Sequence, residues 1–183
     1  MAWGLERFQN TGQSHFVTFS CYHHLALITT PTSRCLFESA LERVRRSFQL
    51  CVYGYVVMPD HIHLLVSQPQ QETLADALKS LKQGVSRRLI GEVEHFWQKR
   101  YYDFNVRNYA QFMEKLHYIH RNPVTAGLCE RPEDWEWSSF RHYSMGCEGR
   151  VEIESEWTAR KRGRAEGKLP PAIELPHSSQ KRA

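Results

Sequence analysis

The sequence predicts an α+β domain, and three observations carry that expectation. Short runs rich in β-branched and aromatic residues read as strands. Between them lie stretches in which apolar residues recur at helical spacing. The order is strand, helix, strand, strand, helix, strand, with one more helix at the end.

The first strand is expected within HFVTFSCYHHLALI, His15–Ile28. Pro31 and Thr32 open the first helix, along which Leu36, Ala40, Leu41, Val44 and Phe48 share a side. CVYGYVVM (51–58) is the second strand and HIHLLVSQP (61–69) the third, with a turn or bulge at Met58-Pro59-Asp60. The second helix spans residues 73–93, with Leu74, Leu78, Leu81, Val85 and Leu89 in step. FWQKRYYDFNVRN (96–108) suggests the fourth strand. YAQFMEKLHYIHRNP (109–123) is a third helix that should stop near Pro123, because proline disfavours helix in the residue before it. The first six elements follow the ferredoxin-like split βαβ pattern, an antiparallel sheet with helices on one face. The last helix is an addition to that pattern.

The chain has 183 residues, 41% of them hydrophobic and 12% aromatic, enough for one packed domain. No run of 18 apolar residues is present, and the N-terminus lacks the layout of a signal peptide, so a cytosolic protein with no membrane partner is expected. The five cysteines are widely spaced without a CxxC pair, which argues against a disulfide framework or zinc ribbon and for mostly buried thiols. Residues 158–183 hold seven basic and two acidic residues, a net of +5. The whole chain is at +4, so the remainder stands at −1. The body therefore needs a local basic stripe if it binds nucleic acid. The expected division is a catalytic domain over 1–145 and a basic, mobile tail over 146–183. The tail could add nonspecific DNA affinity or fold back over a cleft.

Two histidines interrupt an otherwise apolar strand in VVMPDHIHLLVSQ. Strand alternation puts His61, His63 and Leu65 on one face, while Ile62, Leu64 and Val66 face the helices. Two imidazoles at that spacing can hold one divalent ion, or they can be a polar pair on an open sheet face. Two ligands do not complete a metal shell, so a third must come from elsewhere.

On the third helix, Phe112, Met113, Leu116 and Ile119 form the apolar arc. Tyr118 lies roughly 150° from its centre, beside Glu114, Arg121 and Asn122. It is either a surface tyrosine or a phenol placed for chemistry, and a nearby cation or base can activate a phenol. Asn122, one turn on, offers an amide oxygen as an extra ligand. In the chemical reading, His61, His63 and Asn122 hold the ion and the phenolate attacks a phosphodiester.

Aromatics interleaved with cations suit unpaired bases and phosphates. Trp97, Lys99, Arg100, Tyr102 and Arg107 fit that description, and either a DNA surface or an ordinary strand accounts for them. Lys79, Lys82, Arg87 and Arg88 on the second helix are candidate hairpin-phosphate contacts or simply its solvated face. Trp135 and Trp137 are expected to pack the closing segment onto the domain.

MPDHIHLLV resembles the histidine–hydrophobe–histidine (HUH) motif of single-tyrosine transposases, the insertion-sequence 200-like group. FWQKRYYDFNVRN, YIHRNPVTAGL and DWEWSSFRHY resemble, in order and spacing, the REP-associated tyrosine transposases of bacteria. The resemblance covers roughly His15 to Tyr143. It implies a ferredoxin-like domain that cleaves and rejoins single-stranded DNA at palindromic hairpins, using Mg2+ or Mn2+. It makes Tyr118 the nucleophile, His61 and His63 metal ligands, and Asn122 the third ligand. Other insertion-sequence relatives have glutamine at that last place, so Glu114 or a water stands as the alternative. The resemblance also implies a monomer rather than a dimer. Two rivals are a nucleic-acid-binding module without chemistry on the same fold and a hydrolase that activates water.

Overall fold

The computed structural model describes residues 14–91 and 93–167. The elements are β1 (Ser14–Ser20), α1 (Pro31–Ser47), β2 (Val52–Val57), β3 (His61–Ser67), α2 (Leu74–Leu89), β4 (Tyr102–Val106) and α3 (Tyr109–Thr125). Two short helices follow, α4 (Phe140–Met145) and α5 (Glu156–Ala165). The strands form one antiparallel sheet in the order β2-β3-β1-β4, the ferredoxin-like arrangement expected from the sequence. No helix among the described residues is long and apolar enough to cross a membrane.

Local chemistry fixes where the helices start. Thr30 caps α1 in a reciprocal capping box with Ser33, and Pro31 occupies the first turn. Thr73 and Asp76 do the same for α2, and the Asn108 side chain accepts from the Gln111 N–H at the start of α3. Strand alternation then divides the core. Val17, Phe19, Ile62, Leu64 and Val66 pack with Phe37, Leu41, Leu78, Leu81 and Val85 of α1 and α2. Phe16, Val56 and Leu65, on the other face, pack with Phe112, Leu116 and Ile119 of α3. The added helix thus covers the β2–β3 part of the face that carries the histidines, and that face is open only in part.

Several boundaries differ from the sequence expectation. β1 ends at Ser20, and a 3-10 turn follows in which His23 and His24 adopt left-handed φ of 51° and 55°. Regular pairing in β4 begins only at Tyr102, and the preceding Trp97 makes a single bridge to Cys21. α3 runs through Pro123 to Thr125. A proline in the last turn forfeits only the bond to the carbonyl four residues back, so the helix survives it briefly. Of the five free thiols only Cys21 is buried.

The largest correction concerns the expected tail. The packed structure does not stop at residue 145. Val151 and Ile153 are buried in the core. Ile153 pairs in parallel with Val52, and the Glu154 N–H donates to the Val52 carbonyl at 2.8 Å. Glu154 is itself buried and paired with Arg162 at 2.9 Å. Ser155 caps α5 and bonds His142 at 2.7 Å. The physical cause is the outer edge of β2, whose backbone groups need partners. Residues 151–154 cover one end of it. The other end is covered by the Val57 N–H to the Trp137 carbonyl (2.9 Å) and the Ser139 N–H to the Tyr55 carbonyl (3.0 Å). Trp135 donates its indole N–H to the Val57 carbonyl at 3.1 Å, and the Arg34 guanidinium lies over Trp135 and Trp137, so both tryptophans pack the closing segment as expected. Residues 168–183 of the expected tail lie outside the described residues.

α3 is seated against β2 by a close approach at Gly54. A Cβ there would meet Leu116 Cδ1 at 2.7 Å, with Ile119 Cδ1 at 3.6 Å behind it. Leu116 is buried, so it can make way only by repacking against its neighbours. Gly54→Ala is therefore expected to destabilise the fold by about 1–3 kcal/mol through overpacking. Urea denaturation checks this; an unchanged midpoint would mean that α3 shifts freely.

Candidate active site

β1, β3 and α3 bring the candidate residues together. The register places Thr18 opposite His63 and Ser20 opposite His61. The Thr18 hydroxyl lies 2.7 Å from His63 Nδ1. Asp60, in the turn before β3, holds His61 Nδ1 at 2.7 Å from its Oδ1. Both Nδ1 atoms are thereby occupied and both Nε2 atoms turn inward, 3.1 Å apart. This is the arrangement in which a second group fixes ring orientation and leaves the other nitrogen for a ligand.

His63 is 4% exposed, with its ring stacked on Phe16 at 5.6 Å. Burial, and secondarily the neighbouring His61, push its pKa down to about 3. It is therefore a neutral imidazole at physiological pH, the form that binds metal. The separation of the Nε2 atoms is also that of two nitrogen ligands set at right angles and each ~2.1 Å from one ion, roughly 3.0 Å. Among the described residues no group of three His, Cys, Asp or Glu could hold an ion. That removes Glu114 as the third ligand; its carboxylate is exposed and pairs with Lys115. An amide oxygen or water is left for the role.

Tyr118 is 50% exposed, as its place off the apolar arc implies. Its ring nevertheless reaches down beside the helix, 5.1 Å from the His63 ring and 5.9 Å from Phe16, edge-on to both. α3 packs on β2 and β3, so its flank overhangs the half of the sheet it leaves uncovered. Asn122 sits one turn beyond Tyr118 and is half-buried. The helix is anchored below by His120, whose Nε2 lies 2.9 Å from the Ser139 hydroxyl. That hydroxyl also accepts from the Tyr55 N–H at 3.0 Å.

The candidate DNA-binding residues separate into groups. Tyr102 shares the row of His63 and Thr18 across the sheet, is 55% exposed, and meets Phe16 edge-on at 6.4 Å. Lys99, Arg100 and Arg107 are exposed at the two ends of β4. Lys79, Arg87 and Arg88 line a groove of about 440 Å³ with Arg43, between α1 and α2 on the far side of the sheet. Two candidates also have partners within the fold. Lys82 donates to the Gln98 carbonyl at 2.7 Å, and burial lowers its pKa. Trp97 donates to the Lys82 carbonyl at 2.9 Å and packs on Phe19 at 5.1 Å. Both tie the 96–98 segment to α2, because that segment is irregular and turns its aromatics inward.

Sequence reasoning missed Thr18, Asp60 and Phe16. A carboxylate next to a histidine was a usable signal for Asp60. Thr18 and Phe16 emerge only once the β1–β3 register is known.

A family model described as "Transposase IS200 like" matches residues 9–122. A Haemophilus influenzae protein named as a REP-associated tyrosine transposase is 30% identical over 117 residues, 57% of this chain. The chain spans 66% of that relative's length. The REP-associated tyrosine transposase of Escherichia coli K12 is 24% identical over 136 residues, covering 73% of this chain and 80% of the relative. A solved structure of a REP-associated tyrosine transposase bound to a REP hairpin superposes with a TM-score of 0.64, at 22% identity. That superposition covers 78% of this chain and 86% of the other, and it shows a shared fold. A match over more than half of the sequence places this chain in the IS200-like transposase family.

Proposed function

We propose that the protein is a metal-dependent endonuclease and strand transferase that acts on single-stranded DNA at REP-like hairpins. The observation that carries this is the convergence of His61 Nε2 and His63 Nε2, 3.1 Å apart, beside the Tyr118 ring. The Tyr118 oxygen attacks phosphorus in line; the Oη–P bond forms and the P–O3′ bond breaks. The phenolic proton goes to solvent and the departing oxygen takes one up as a 3′ hydroxyl. The product is a 5′-phosphotyrosine, which a 3′ hydroxyl can reverse, so cleavage and rejoining are one reaction run in two directions.

His61, His63 and the Asn122 amide would hold a divalent ion, and imidazole donors favour Mn2+ over Mg2+. Such an ion supplies Lewis-acid polarisation of the phosphodiester. Asp60 and Thr18 keep the two rings aimed. Asp60→Ala is expected to weaken Mn2+ affinity about 10–100-fold, measured by titration calorimetry. Equal affinity in the variant would remove Asp60 from the site.

Membership of a transposase family supports DNA as the partner, and a protein acting on hairpin DNA would work at the bacterial nucleoid. Tyr118 meets the His63 ring within a single chain, a geometry compatible with action as a monomer. The binding-module reading has less support: Phe16, on a central strand, is 4% exposed and gives no open aromatic platform. The test incubates the protein with labelled single-stranded hairpin oligonucleotides from REP-like repeats, with Mn2+ or Mg2+. A covalent protein–DNA band that needs metal is expected on a denaturing gel. Binding without any such band, with both metals and several hairpins, would favour the module.

A further inference from the structure

We propose that Lys115 is a further substrate-contacting residue, a phosphate clamp beside the nucleophile. The proposal rests on the assignment of Tyr118 as that nucleophile. Lys115, Tyr118 and Asn122 stand at i, i+3 and i+7 on α3 and form one stripe along the flank that overhangs β1 and β4. Lys115 does not extend into water. Its side chain is 21% exposed and lies down on the sheet, with Nζ 5.4 Å from the centre of the Phe16 ring and 4.9 Å from that of Phe104. Phe16 is the common floor of the site. His63 stacks on it, and Tyr118 and Tyr102 meet it edge-on. The ammonium is therefore fixed on the same ring as the nucleophile and one histidine.

The charge of Lys115 is available to a ligand. Its ion-pair partner, Glu114, is 3.2 Å away and 69% exposed. An exposed pair of that kind holds its cation weakly. Two aromatic faces orient the ammonium without neutralising it. Tyr102, Tyr118 and the Lys115 ammonium all surround the Phe16 ring, so a strand held against both tyrosines would come within reach of that charge. An ammonium on a flexible stem is a point-charge phosphate binder. The contact would hold the scissile phosphate or its neighbour while Tyr118 attacks.

The test compares the wild-type chain, Lys115→Met and Lys115→Arg on a hairpin oligonucleotide with a single-stranded extension. Methionine keeps the alkyl cover over Phe16 and Phe104 and removes only the charge. Two quantities are read, the slope of log Kd against log salt and the rate of adduct formation. Loss of one single-strand phosphate contact lowers the slope by about 0.7. Lys115→Met is expected to show that change, an adduct rate about tenfold lower, and an unaltered Tm. Lys115→Arg is expected to restore the slope. A slope unchanged in Lys115→Met would overturn the proposal, even if the adduct still forms. A slope difference between the wild-type chain and Lys115→Met, with no adduct formed by the wild-type chain, would overturn the chemistry assigned to Tyr118 and leave the phosphate contact standing. A lowered Tm in Lys115→Met, with no restored slope in Lys115→Arg, would reduce Lys115 to a packing residue.

Discussion

Replacing Tyr118 by phenylalanine is expected to abolish the covalent protein–DNA product while hairpin binding and stability persist. The substitution removes one oxygen and keeps the ring that meets His63 and Phe16 edge-on. Tyr118 is half exposed, so no buried partner is stranded and stability should move by less than about 0.5 kcal/mol. Removal of a nucleophile that acts as one unit with its surroundings costs about 10⁴-fold or more. The measurement is the labelled band on a denaturing gel, alongside a binding isotherm. Cleavage that survives in Tyr118→Phe would make water the nucleophile, and the hydrolase reading would replace the transferase.

Replacing the histidines singly is expected to separate ligation from packing. His61→Ala and His63→Ala should each lower adduct formation on the order of 10²–10³-fold, the worth of several kcal/mol of Lewis-acid stabilisation. Their effects on folding should differ. His61 keeps 22% of its side chain exposed and leans on Asp60, so its loss is close to neutral. His63 is buried, stacked on Phe16 and bonded to Thr18. Its removal leaves a cavity and an unpaired hydroxyl, expected to cost about 2–4 kcal/mol. Mn2+ calorimetry and denaturation of both variants check the pair of expectations. Full adduct formation by His61→Ala in the presence of metal would remove the ion from the site.

Much of this was legible in the residues. Period-two alternation in HIHLLVS separated the histidine face from the Ile62 face, and the structure keeps that division. Helical periodicity put Tyr118 off the apolar arc, and it is exposed. What escaped depends on contacts between distant segments. The inward turn of Trp97 follows from its bond to the Lys82 carbonyl on another element. The role of residues 151–154 was masked by charge. Only the alternation Val151, Ile153 inside that charged run hints at a strand-like segment, and two apolar residues do not outweigh their surroundings. Thr18 and Lys115 have ordinary identities, and pairing and packing alone bring them to the site.

The late closure of β2 bears on how the molecule is made. Val52 meets Ile153, and Tyr55 meets Ser139, across long stretches of chain. During synthesis β2 therefore waits with a bare edge until the ribosome has delivered almost the whole packed region. Gly54, against which α3 is seated, lies in that waiting strand. The nascent chain accordingly seats α3, and Tyr118 with it, on a strand whose outer edge is still unpaired. A message broken before residue 137 would yield a fragment with that edge bare and prone to pair with other chains.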